Sequence, residues 1–127
     1  MFEALKIGMD AFLGNSYQPD PSNGCCWAAT GIAAYYSPWA ATEHRNQVFY
    51  VPTLCTHADQ LGILYDFDEN ILEEGDVIVF GDQDHVVIST GGYSYVGNSS
   101  SRGYVLQGRD YRYMGIPATQ IIKPPKG

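Results

Sequence analysis

The residue types that could do nucleophilic chemistry are few. There are three cysteines, at 25, 26 and 55, and three histidines, at 44, 57 and 85. Cys25 and Cys26 stand in Asn23-Gly24-Cys25-Cys26-Trp27-Ala28-Ala29-Thr30, where a proline- and glycine-containing loop meets a small-residue run that reads as helix. A thiol at a helix N-terminus faces free N–H groups and the positive end of the macrodipole, which favour the thiolate, the nucleophilic form. Such a thiol needs a base, and the base needs an orienting partner. His85 opens an apolar strand directly after a tight turn, whereas His44 and His57 have no special context. Asn98 ends the next strand of the hairpin, where it could accept a hydrogen bond from His85 and hold its tautomer. Adjacent cysteines do not pair in relaxed geometry and the cysteine count is odd, so no disulfide scaffold is expected. Cys25, Cys26, Cys55, His44 and His57 show no zinc spacing, and the chemistry calls for no metal and no cofactor. Asn98-Ser99-Ser100 also matches a glycosylation sequon, a match too cheap to carry weight.

These residues must be positioned by their elements. Phe2, Leu5, Met9, Phe12 and Leu13 share one helical face over residues 2–13, and Gly14-Asn15 is a C-cap signal. Residues 16–24 read as loop. The cysteine helix is expected over 25–36, stopped by Ser37-Pro38, and its many small residues predict close packing against a sheet. A short helix over 39–45 fits the pattern, residues 48–51 read as strand or extended loop, and Pro52 opens a helix over 53–62. From residue 64 the pattern becomes short strands and turns: 77–80, 85–89, 93–97 and 104–107, with 119–122 completing the sheet. Gly81-Asp82-Gln83-Asp84 and Gly91-Gly92 are turns. Helices followed by an antiparallel meander read as α+β, in one domain over residues 1–122. Lys123-Pro124-Pro125-Lys126-Gly127 reads as linker.

The chain has 127 residues, enough for one core, with 45% hydrophobic and 17% charged residues. Its formal net charge of −7 argues against nucleic acid or an anionic membrane as partner. Ten tyrosines point to an aromatic surface or groove. No apolar run is long enough to span a bilayer. Glu3 and Asp10 interrupt the N-terminal apolar pattern and no basic region precedes it, so the chain is expected to be made in the cytoplasm without a signal peptide.

Leu72-Glu73-Glu74-Gly75-Asp76-Val77-Ile78-Val79-Phe80, then His85-Val86-Val87-Ile88, then Asn98, after a cysteine at a helix start, resemble the NlpC-type cysteine peptidases. These are compact papain-like domains that cut peptidoglycan stem peptides. The resemblance covers most of residues 2–122 and is strongest over 23–30 and 72–99. Asn23-Gly24-Cys25 and Tyr95-Val96-Gly97-Asn98-Ser99 are similar to phage-lysin members in particular. The family's Asp-Cys-Ser-Gly is absent, and its third residue, often His, is Asn98 here. The resemblance implies a papain-like fold, a Cys25-His85-Asn98 site, and substrate contacts from Tyr17 and Trp27.

Which cysteine attacks is a choice between two analogies. In papain the nucleophile directly precedes Trp, which favours Cys26. In the related CHAP amidases Trp follows two residues later, which favours Cys25, as does Asn-Gly-Cys. Adjacent helical residues point about 100° apart, so only one thiol can face His85 and the other packs as a small hydrophobe. Cys25 is the assignment, and Cys55 is structural.

The function implied is hydrolysis of a cell-wall amide bond through a thioester, by a monomer acting on peptidoglycan stem peptides after release, as in a phage or prophage endolysin. A papain-like acyltransferase or amidase toxin, and a non-catalytic wall-binding domain, are the alternatives. The Pro-Pro tail would then begin a linker to a wall-binding module.

Overall fold

A computed structural model describes residues 1–127. Four helices come first: α1 (Glu3–Phe12), α2 (Cys25–Ala33), α3 (Pro38–Arg45) and α4 (Val51–Gln60). Six strands follow: β1 (Leu64–Asp66), β2 (Val77–Phe80), β3 (His85–Gly91), β4 (Ser94–Asn98), β5 (Val105–Gly108) and β6 (Ala118–Ile122). They form one antiparallel sheet in the order β1-β6-β2-β3-β4-β5.

The α2 sequence explains its central place. Eight of its nine residues are buried, all but Trp27. A helix apolar on every side must be enclosed. Its small residues allow that enclosure at short range: a Cβ on Gly31 would lie 2.2 Å from the Phe12 ring, and one on Gly8 of α1 would lie 2.6 Å from the Ile32 carbonyl oxygen. Beneath α2 lie Val86 and Ile88 of β3 and Val96 of β4, in a core cluster of 21 buried residues that also takes in Val77 and Val79. The alternate residues Ile78, Phe80 and Val87 point to the other side, where they pack with Tyr111. β2 is thus buried on both faces, which is why it reads as an unbroken apolar run rather than an alternating one.

Several boundaries differ from the sequence reading. α2 ends at Ala33 rather than 36, because residues 34–36 turn to let the Ser37 hydroxyl cap α3 by accepting from Ala40 N–H at 3.2 Å. Of the two readings for 48–51, the loop is the one that forms, over 48–50. Gln47 takes a left-handed φ of 57°, the chain turns out, and Val51 already belongs to α4. The third strand of the meander is shifted to 94–98, so Asn98 is its last paired residue. The simple meander holds only for β2 to β5. β6 returns to the far side of β2 and separates it from β1.

The residues read as linker are packed against the domain. Pro124 is buried, Lys123 Nζ binds Asp76 at 2.6 Å and Glu73 at 3.0 Å, and Gly127 N–H donates to the Tyr36 carbonyl. Charge-assisted bonds to a nearly buried carboxylate hold better than the surface pairs a free tail would make.

Candidate active site

The loop before α2 is built to deliver one thiol. Pro21–Asn23 form a single 3₁₀ turn, capped by the Asp20 carboxylate, which accepts from the Ser22 N–H and hydroxyl. Gly24 follows with φ −87°, an ordinary conformation. Its need for glycine is steric: a Cβ would stand 2.7 Å from Tyr17 Cβ and 3.2 Å from Asn98 Cγ. The close approach brings β4 and the Tyr17 loop against the start of α2. Cys25 is then the first helical residue, and its N–H has no acceptor within the protein.

The two adjacent thiols have opposite environments. Cys25 is 9% exposed and lines a cleft of about 500 Å³, whereas Cys26 has no exposure and sits in the core. The Cys25 thiol is pushed down to about 4, first by the neighbouring Cys26 thiol and then by the nearby His85 imidazole and the Val86 N–H, with burial working against them. Cys26 is pushed the other way by the same neighbour and by its burial. Cys26 therefore keeps its proton. Burial also raises Cys55, to about 11.

His85 reaches this sulfur from the end of β3. It pairs across the ladder with Phe80, and alternation gives it the face of Val87 rather than that of Val86 and Ile88, which carry α2. Only its position at the strand end lets it meet a thiol on the helix side. On its own side His85 borders a second, larger hollow of about 870 Å³.

Asn98 stands beside both elements. Continuing the Ile88↔Val96 register places it opposite Val86. It is 1% exposed, its Nδ2 donates to the Pro21 carbonyl at 3.3 Å, and its Oδ1 is buried without a partner. The structure thus brings Cys25 and His85 together and sets Asn98 next to them, bonded to Pro21 rather than to His85. Tyr17 and Trp27 lie one layer back. Their rings are 5.9 Å apart, Trp27 packs on Phe12, and Tyr17 packs on Phe49, which itself lines the Cys25 cleft. His44 is held in this aromatic group against Thr30 Oγ1 at 2.9 Å, and burial lowers its pKa. His57 pairs with the buried Glu43 at 2.8 Å.

The cleft walls were not singled out from the sequence. One is Phe49-Tyr50-Val51-Pro52, and the other is Asp82-Gln83-Asp84, the turn between β2 and β3. The acidic turn next to His85 was the available signal. Asp84 is fixed there by accepting from Asp82 N–H at 3.0 Å.

No family model and no curated protein matches this chain. Among solved structures, the P60 domain of an antigen from M. avium subspecies paratuberculosis is similar over 94% of this chain and 91% of its own, with TM-score 0.50 and 16% identity. At that identity the likeness speaks for the fold, and it agrees with the α+β, papain-like architecture expected of an NlpC-type chain. The molecule has the fold of an NlpC/P60 domain.

Proposed function

We propose that this protein is a cysteine amidase or endopeptidase that hydrolyses an amide bond of peptidoglycan stem peptides, with Cys25 as nucleophile and His85 as base. The observation that carries the reading is the nearness of Cys25, first residue of α2 and part of the wall of a cleft, to His85, first residue of β3. The fold likeness to a P60 domain supports the choice of substrate. An endolysin, released to reach the wall, is the setting that agrees with the sequence resemblance.

The steps follow from the geometry. The thiol proton passes to His85, leaving a thiolate–imidazolium pair. The sulfur attacks the amide carbonyl carbon, and the oxygen's developing charge is met by the free Cys25 N–H at the positive end of α2. His85 returns the proton to the leaving nitrogen as the C–N bond breaks. Water, deprotonated by His85, then opens the thioester and frees Cys25. Asn98 Oδ1 is the buried acceptor available to the imidazole once the ring becomes cationic. Digestion of purified peptidoglycan with mass spectrometry of the fragments tests the reading. New amine and carboxylate ends with the wild type, and none with Cys25→Ala, are expected. An intact wall after prolonged incubation with wild type would overturn it.

A further inference from the structure

Cys25 and His85 border different spaces. The cleft at Cys25 is lined by Asn23, residues 49–52 and residues 82–84, while the hollow at His85 is lined by β3, β4, β5 and the turn between β4 and β5. Asp84 is the one residue common to both. A scissile amide must therefore lie across the ridge between them. Its carbonyl carbon joins the Cys25 sulfur, and its nitrogen takes the proton from His85. The half that departs as an amine must then start at His85.

The hollow on that side has its own chemistry. Arg102 is the one lysine or arginine among its lining residues, which also include His85 and Asp84, and it forms no ion pair, although the chain carries a net charge of −7. Its backbone is fixed by the turn, and its side chain is exposed. Ser99 Oγ accepts from Arg102 N–H at 3.1 Å, Ser99 N–H donates to the Tyr104 carbonyl, and Gly103 N–H, at φ +81°, donates to the Ser99 carbonyl. The N–H groups of Ser100 and Ser101 have no acceptor. A guanidinium without an ion pair beside two free N–H groups and the Ser100 hydroxyl is the donor set of an oxyanion site. On a substrate the matching group is a carboxylate.

We propose that the leaving half of the substrate lies in the hollow between His85 and the Ser99–Gly103 turn, and that it carries a carboxylate held by Arg102 and the Ser100 and Ser101 N–H groups. The inference rests on the assignment of Cys25 and His85 above. It makes Arg102 a specificity residue. It also fixes the direction of the chain, with the acyl half on the Cys25 side along residues 49–52 and the carboxylate-bearing amine on the β4–β5 side.

Kinetics and binding test it separately. A disaccharide tetrapeptide from peptidoglycan, with its C-terminal carboxylate free or converted to carboxamide, serves as the substrate pair. For the wild type, amidation is expected to raise KM about tenfold with kcat within about twofold, the signature of lost ground-state binding. Arg102→Gln is expected to raise KM about tenfold for the acid and to abolish the difference between acid and amide. Equal slowing on both substrates, or no change on the acid, would overturn the assignment. Independently of turnover, Cys25→Ala protein titrated with the dipeptide L-Lys-D-Ala is expected to shift the backbone amide signals of Ser100, Ser101 and Arg102. Shifts confined to residues 49–52 and 82–84, or none at all, would overturn it. If the dipeptide binds the turn but wild type cleaves no muropeptide, the anion site stands and the catalytic reading falls.

Discussion

The two faces of β3 carry the same kinds of residue to different ends. Val86 and Ile88 are sealed beneath α2 in the large core, while His85 and Val87, one step out of phase, border an open hollow lined with serines, tyrosines and Arg102. The helix face sets positions: it fixes where α2 begins and so where the Cys25 sulfur lies. The open face has only a small cluster of four buried residues and leaves room for a ligand. A reactive pair arises where the two meet, at the strand end, because only there can a side chain of one face touch an element packed on the other.

The largest effect that could break this picture concerns the two thiols. Cys25→Ala is expected to lower peptidoglycan hydrolysis by about 10⁴-fold or more, the scale of losing a nucleophile. Cys26→Ala is expected to keep activity within about tenfold at neutral pH and to cost about 1–2 kcal/mol of stability from the small cavity left under α2. Thermal denaturation and fragment release, measured on both variants, separate the two. A dead Cys26 variant beside an active Cys25 variant would transfer the nucleophile to the helix face.

The next effect is in pH. The thiolate is the reactive form and is populated above its pKa, so a Cys25 held at about 4 stays reactive as the pH falls to about 5 and loses reactivity only near and below 4. Iodoacetamide should therefore label Cys25 at a nearly constant rate from pH 8 to pH 5, read by peptide mapping. Cys26 and Cys55, both buried and shifted upward, should label only after unfolding. In Cys26→Ala the lower limb should move toward higher pH, because the neighbour that most favours the Cys25 thiolate is gone. An unmoved limb would show that His85 and the Val86 N–H set the thiolate without Cys26.

Gly24 tests the joint between the faces. Gly24→Ala places a methyl group against Tyr17 Cβ, which can retreat only with its own backbone, and against the Asn98 amide, which must give by a few tenths of an ångström. An activity loss of about 10- to 100-fold with about 1–3 kcal/mol of destabilisation is expected, from kinetics and denaturant titration together. Full activity in this variant would mean that the approach of Asn98 to α2 has no catalytic consequence.

Much of this was legible in the residues. The apolar runs at 77–80 and 85–89, the glycine turns between strands and the Asn-Gly-Cys entry to a small-residue helix are local signals, and each is satisfied by local structure. What was not legible depends on distant partners. Residues 48–51 have strand-like side chains, but Gln47 turns the chain and Pro52 suits a first helical turn, so they become the rim of the cleft. Lys123–Gly127 look like linker until Asp76 and Glu73, about fifty residues earlier, supply carboxylates for Lys123. The insertion of β6 between β1 and β2 is set by the open edge of β2, which no periodicity records. His85 does open a strand after a turn, as its sequence context indicates, but its face is the one opposite α2.

The smallest expected effect lies in the open-face cluster and tests how dry it is. Tyr111 is 2% exposed, its ring packs on Phe67 and Tyr93 at 5.7 Å each, and its hydroxyl is buried with no partner. An unpaired buried hydroxyl gives up its bonds to water on folding and receives nothing in return. Tyr111→Phe keeps the ring contacts and removes only that group. It is therefore expected to leave activity within about twofold and to stabilise the fold by up to about 1 kcal/mol, seen as a rise of a few degrees in Tm. A loss of about 1 kcal/mol or more would show that the hydroxyl is bonded in solution, and since the protein offers it no acceptor, the partner would be a buried water. The open face would then be wet beneath Tyr111 as well as in the hollow beside His85, and its stability would depend on a polar network rather than on the four-residue cluster alone.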